Sequence, residues 1–143
     1  MRSILVFLAM LIAFAPIASA TDYSLLEDAC ESVLVDGEST GIYRAVVDVH
    51  GFFGPKMDIT YRSISTTEED MLIDIAAVLG VYQGAVIEYP EIGDLKATIE
   101  GVNGSEIGTF ACKRAWVDDV DVANESQYSD LLVKVLGTIE VEG

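Results

Sequence analysis

The sequence predicts an α+β domain in which helices cover an antiparallel sheet, and three observations carry that expectation. Apolar residues recur at helical spacing in three separated stretches, 24–36, 66–89 and 124–136. Between them lie paired stretches of alternating apolar and polar residues, 41–50 with 57–63 and 95–101 with 106–115. Turn-forming residues join each pair, Gly51 to Lys56 in the first and Asn103-Gly104 in the second. The order is helix, hairpin, helix, hairpin, helix, a layered arrangement.

The first twenty residues stand apart from this pattern. Arg2, the apolar run from Ile4 to Ala15 and the small-residue site Ala18-Ser19-Ala20 have the layout of a secretory signal peptide cut before Thr21. The alternative is a retained N-terminal membrane anchor. As a helix, Ile4 to Ala20 would measure about 25 Å, short of an about 30 Å hydrocarbon core, and Pro16 interrupts it. Cleavage is the expectation. It leaves one domain, residues 21–143, secreted or held at the exterior of the cell envelope, with no stable membrane span.

Losing the leader also removes Arg2, leaving 7 basic against 24 acidic side chains and a formal charge of −17. Such a surface repels nucleic acid and anionic headgroups, which excludes nucleic acid as a partner. The acids are spread along the chain, as in a solubilising coat; attraction of cations or basic partners is the sharper alternative.

Taken in order, Leu25, Leu26, Ala29, Cys30, Val33 and Leu34 form one helical stripe, with Ser24 and Glu27 at capping-box spacing and Asp36-Gly37 as the stop. In the next stretch Tyr43, Ala45, Val47 and Val49 face one way, and Arg44, Asp48 and His50 the other. Met57, Ile59 and Tyr61 alternate with Asp58, Thr60 and Arg62. Pairing Val49 with Met57 would oppose Arg44 to Arg62 and Asp48 to Asp58, so like-charge repulsion predicts the other register, Gly51 with Met57. Thr66 and Glu69 then open a long helix that is apolar around most of its girth. Its small residues Gly80 and Gly84 suit close packing on a sheet, with a strand over Ala85 to Tyr89 as the alternative ending. The Asn103-Gly104 turn predicts Thr98 opposite Thr109, Ala97 opposite Phe110 and Leu95 opposite Cys112. Asn124 and Gln127 cap a last helix with the stripe Tyr128, Leu131, Leu132 and Val135, and 138–141 alternates as a short strand.

This element order is similar to that of profilin-like and roadblock-like domains, a likeness of fold that carries no function. The stretch from Thr66 to Trp116, with the Gly80-to-Gly84 helix, the Glu88-Tyr89-Pro90-Glu91 corner, the Asn-Gly hairpin and Ala111-Cys112-Lys113, resembles small exported archaeal proteins of uncharacterised function. The resemblance implies no activity and no site residues.

Cys30 and Cys112 both face the predicted core, and in an exported chain two cysteines are expected to form a disulfide. With His50 the only histidine, Cys and His cannot supply a four-ligand zinc site. His50 near Asp58 and Asp48 is the candidate general base of a small hydrolase, though no nucleophile accompanies it. Arg44, Thr60 and Arg62 share its face and suit an anionic partner. Asp119, Asp121, Asn124, Glu125 and Asp130 offer oxygen ligands for calcium, but Ala123, Asn124 and Asp130 depart from the EF-hand pattern, and an acidic helix entry is the plainer account. Asn103-Gly104-Ser105 and Asn124-Glu125-Ser126 match the N-glycosylation acceptor. Phe52 and Phe53 offer a loop contact, and Lys113 with Trp116 a cation–π pair. The expectation is a non-enzymatic exterior module that binds a protein, an ion or a surface polymer, or serves a structural role in the envelope; the hydrolase is the alternative.

Overall fold

The computed structural model describes residues 22–37, 40–51, 54–121 and 124–141; the leader, Phe52, Phe53 and Ala123 lie outside the described residues. The order is α1 (Ser24–Asp36), β1 (Ile42–His50), β2 (Lys56–Ser63), α2 (Glu68–Glu88), β3 (Leu95–Glu100), β4 (Glu106–Cys112), α3 (Arg114–Asp118), α4 (Glu125–Leu136) and β5 (Glu140–Val141). The five strands form one sheet in sequence order. The fold is α+β as predicted, but the sheet is mixed: β2 and β3 run parallel, the other neighbours antiparallel. The parallel pair follows from α2. A 21-residue helix is about 31 Å long, enough to return the chain to the end of the sheet from which β2 began.

Helix α2 is the centre of the core. Every residue from Asp74 to Val86 is buried, and its helical conformation runs on through Ala85 to Glu88, so the alternative strand there is not formed. It has the length and hydropathy of a membrane span, but 72% of its most apolar window is buried inside the domain. Its N-cap is Thr67, one residue beyond the expected Thr66, and the Thr67 side chain accepts from the Asp70 amide. Asp74, 2% exposed, is a buried acid of this core: its carboxylate accepts from the Ser63 hydroxyl at 2.5 Å and the Gly41 amide at 3.0 Å. The start of β1 and the end of β2 are thereby tied to α2.

The β3–β4 register is the one the Asn-Gly turn predicts, with Leu95 opposite Cys112, Ala97 opposite Phe110 and Thr98 opposite Thr109. Near the turn it shifts: Glu100 pairs with Glu106, and Gly104, at φ 82°, closes a wider connection in which the Gly101 amide donates to the Ser105 carbonyl. The β1–β2 register is not the expected pairing of Gly51 with Met57 but the one that like-charge repulsion argues against. Val49 pairs with Met57, Arg44 with Arg62 and Asp48 with Asp58. The two registers differ by two residues, so burial is the same in both and cannot choose. The repulsion is offset in part by neighbours: from outside the hairpin β3 sets Lys96 beside Asp58 and Glu100 beside Arg62, and within it His50 lies diagonally across from Asp58. A shift between Ile42 and Arg44 turns Tyr43 outward, 44% exposed, and puts Ile42 in the core instead.

Cys30 and Cys112 both face the core but are free thiols, so the expected disulfide is not formed. Helix α1 packs on β1 at one edge of the sheet, whereas Cys112 stands on β4, three strands further on. At about 4.8 Å per strand that separation exceeds the about 7 Å Cα limit for a bridge. Burial pushes both thiols up to about 12, which keeps them protonated and unreactive.

Side chains take strand amides that the ladders leave unpaired. On β1 the amides of Val47 and Val49 donate to Glu31 and Glu27 of α1, at 2.8 and 2.7 Å. At β4 the Thr138 hydroxyl takes the Ala111 amide at 2.8 Å, next to the short pairing with β5.

Two outcomes check this description. Replacing Glu27 and Glu31 together by Ala should lower unfolding stability in urea by about 1–3 kcal/mol per lost hydrogen bond and promote concentration-dependent association through the bared β1 edge; an unchanged midpoint would refute the latch. The purified protein should release two titratable thiols in denaturant and almost none when native.

Candidate functional site

Burial alternates along the strands, and the side chains packed under the helices are Ala45, Val47 and Val49, Met57, Ile59 and Tyr61, Leu95 and Ala97, and Phe110 and Cys112. Tyr128 of α4 donates to the Ala76 carbonyl of α2 at 3.0 Å, which places α4 in that same layer. The intervening residues make up the opposite face, which is open: Arg44, Asp48 and His50 on β1, Lys56, Asp58, Thr60 and Arg62 on β2, Lys96 and Thr98 on β3, Thr109 and Ala111 on β4. Four of the seven basic side chains after residue 20, Arg44, Lys56, Arg62 and Lys96, therefore share one face of a strongly acidic domain.

At the β1–β2 end of this face the structure brings together the three residues that the sequence singled out. His50 Nε2 lies 2.6 Å from Asp58 Oδ2 and 3.8 Å from Asp48 Oδ2. The side chains are 53% (His50), 43% (Asp58) and 62% (Asp48) exposed. The hydrogen bond to Asp58 raises the His50 pKa above its ordinary 6.5, the Asp58 charge adds to this and Asp48 adds less, against a little desolvation and the nearby Lys56. Beside the trio a shallow cleft of about 760 Å³ runs from Asp58 past Lys56 and Lys96 to Thr138 and Glu140. Among the described residues, no serine, threonine or cysteine is hydrogen-bonded to His50. The arrangement can hold a proton or a cation and can present charge to a partner; it has no assembled nucleophile.

At the far end of the face, Arg62 Nε bonds Glu100 at 2.8 Å, and its guanidinium lies against Gly104 of the β3–β4 turn. Arg62 is thus paired, while Arg44 stands opposite it.

The other sequence candidates are scattered. Asp119, Asp121 and Asp130 are not brought together as a ligand group among the described residues, where the group that forms is Asp48, His50 and Asp58. Asn124 instead caps α4, its side chain accepting from the Gln127 amide at 3.1 Å. Asn103 is exposed at the β3–β4 turn, its side chain accepting from Ser105. Lys113 Nζ lies 5.7 Å from the Trp116 ring centre, the cation–π contact expected, on a one-turn helix α3 that the strand pattern had hidden. A second concavity, about 850 Å³, is apolar, lined by Leu72, Ile75, Ile99, Ile107, Leu136 and Ile139, and holds none of the predicted site residues. Sequence reasoning missed Lys96 as a neighbour of Asp58, because that proximity arises from the parallel β2–β3 pairing.

A metal-free titration of His50 by NMR should give a midpoint above 6.5, moving down in Asp58→Asn. The raised folded value means that the pair's contribution to stability is fully present below the unfolded value and is lost as pH rises through the folded one. Thermal unfolding in EDTA should therefore show wild type losing its margin over Asp58→Asn as pH climbs across that window.

A family model described as Domain of unknown function (DUF8159) matches residues 21–143. The match covers well over half of the chain, and the protein belongs to this family. Neither a curated protein nor a solved structure matches it significantly.

Proposed function

We propose that this DUF8159 protein is an exported, non-enzymatic binding domain that engages an anionic surface polymer or acidic protein partner through its open sheet face. The observation that carries the reading is a local concentration of cations: a chain with 24 acidic residues places Arg44, Lys56, Arg62 and Lys96 on one face, where they outnumber the neighbouring Asp48, Asp58 and Glu100. The overall charge does not prevent such binding. At physiological salt, charges beyond about 8 Å are screened, so the local face rather than the net charge governs contact. Thr60, Thr98 and Thr109, adjacent in register across three strands, add a row of hydroxyls suited to hydrogen-bonding a polymer. Export is supported by the leader-like layout of residues 1–20 and by a family match that begins at residue 21, next to Ala18-Ser19-Ala20. The resemblance to exported archaeal proteins agrees with an exterior location.

The hydrolase reading draws on the 2.6 Å His50–Asp58 contact. Against it stand the open setting of the pair and the lack of a hydroxyl or thiol bonded to His50 among the described residues.

Two measurements test the proposal. The purified protein should co-sediment with isolated cell envelopes in EDTA, and Arg44→Glu with Lys96→Glu should abolish retention; wild type that stays in solution, or a double variant retained equally, would count against the face. His50→Ala should leave hydrolysis of simple ester and glycoside substrates at background; an activity present in wild type and lost in His50→Ala would establish the enzyme instead.

A further inference from the structure

We propose that Asp48, His50 and Asp58 form a site for a divalent transition-metal cation of the zinc class. The first argument is geometric. One ligand atom from each residue lies within 4.8 Å of the other two. Around a tetrahedral ion with bonds of about 2.0–2.2 Å, ligand atoms sit about 3.3 Å apart. His50 Nε2 is now 3.8 Å from Asp48 and 2.6 Å from Asp58, so those two spacings must change by less than about 1 Å, and the Asp48–Asp58 spacing, within 4.8 Å, by at most about 1.5 Å. All three side chains are on the solvent side and free to make that adjustment.

The second argument is the strand register. Asp48 and Asp58 stand directly opposite each other, a like-charge pair that a two-residue shift would separate without moving any apolar side chain off the core face. Lys96 and His50 offset part of the repulsion. A cation between the carboxylates removes it and makes use of the imidazole nitrogen as well. That nitrogen sets the metal class. A ligand set of one imidazole and two carboxylates suits zinc, cobalt or nickel, whereas calcium and magnesium take oxygen alone. Lys56, opposite His50, and Lys96, beside Asp58, flank the outward side, so the remaining position falls to water or to an anionic group of a bound partner.

This site stands independently of the envelope-binding reading, whose assay is run in EDTA. Isothermal titration of the purified protein with zinc chloride should show one saturable event per chain, weakened by more than about tenfold, the loss that even outer-shell changes cause at metal sites, in His50→Ala and in Asp48→Asn. Calcium chloride at the same concentrations should give none. Absence of a saturable zinc event, binding unchanged in His50→Ala, or equal binding of calcium would each overturn the proposal. Because all three residues are on the surface, circular dichroism should show both variants folded, so loss of binding is not loss of structure.

Discussion

Two carboxylates that belong to no strand hold the edge of this sheet. A β1 strand with nothing beyond it would present the Val47 and Val49 amides to solvent and to other chains; Glu31 and Glu27, one helical turn apart on α1, take them instead. The spacing works because i and i+4 on a helix rise about 6 Å, close to the two-residue repeat of a strand. The residues between and after the latched amides are Asp48 and His50, on the opposite face. Fixing the inward-facing valines therefore also fixes the outward-facing pair, and the geometry of the candidate site rests on an interaction made by the edge of the same strand.

The rest of the sheet is set by α2. A helix buried along thirteen consecutive residues leaves few alternatives for the strands beneath it, and its length forces the chain to re-enter the sheet parallel to β2. That crossover is what places β3 next to β2 and so Lys96 next to Asp58. It also explains how the protein tolerates Arg44 opposite Arg62 and Asp48 opposite Asp58. A central strand has two neighbours, and a charge left unbalanced by one can be matched by the other, as Glu100 does for Arg62.

Local signals in the sequence were read well where the determinants are local. The stripe of α4, the Asn124 cap and the pairing of Leu95 with Cys112 follow from residues within a turn or a hairpin of one another. The β1–β2 register is not legible from the hairpin alone, because compensating charges come from β3, more than thirty residues away in sequence. The two cysteines show the same limit. Both were correctly assigned to the core from their stripes, but sharing a core does not imply adjacency in a five-stranded sheet, and helix α1 and strand β4 lie at different positions across it. The trio of His50, Asp48 and Asp58 was legible as a cluster in either register, since alternation alone puts all three on one face of neighbouring strands; only the actual register sets the two carboxylates opposite each other.

That distinction bears on what the face can do. With a single carboxylate beside it, an exposed imidazole forms an ion pair and little more. With a second carboxylate held opposite the first, the same imidazole completes three sides of a cation site, and the lysines that flank it favour an anion on the fourth. General-base chemistry would need the reverse arrangement, a partner hydroxyl within reach and walls that exclude water, and the three side chains are between 43% and 62% exposed. On this face, exposure that weakens the case for catalysis strengthens the case for recognition, because a large partner can reach His50, Lys56 and Lys96 together.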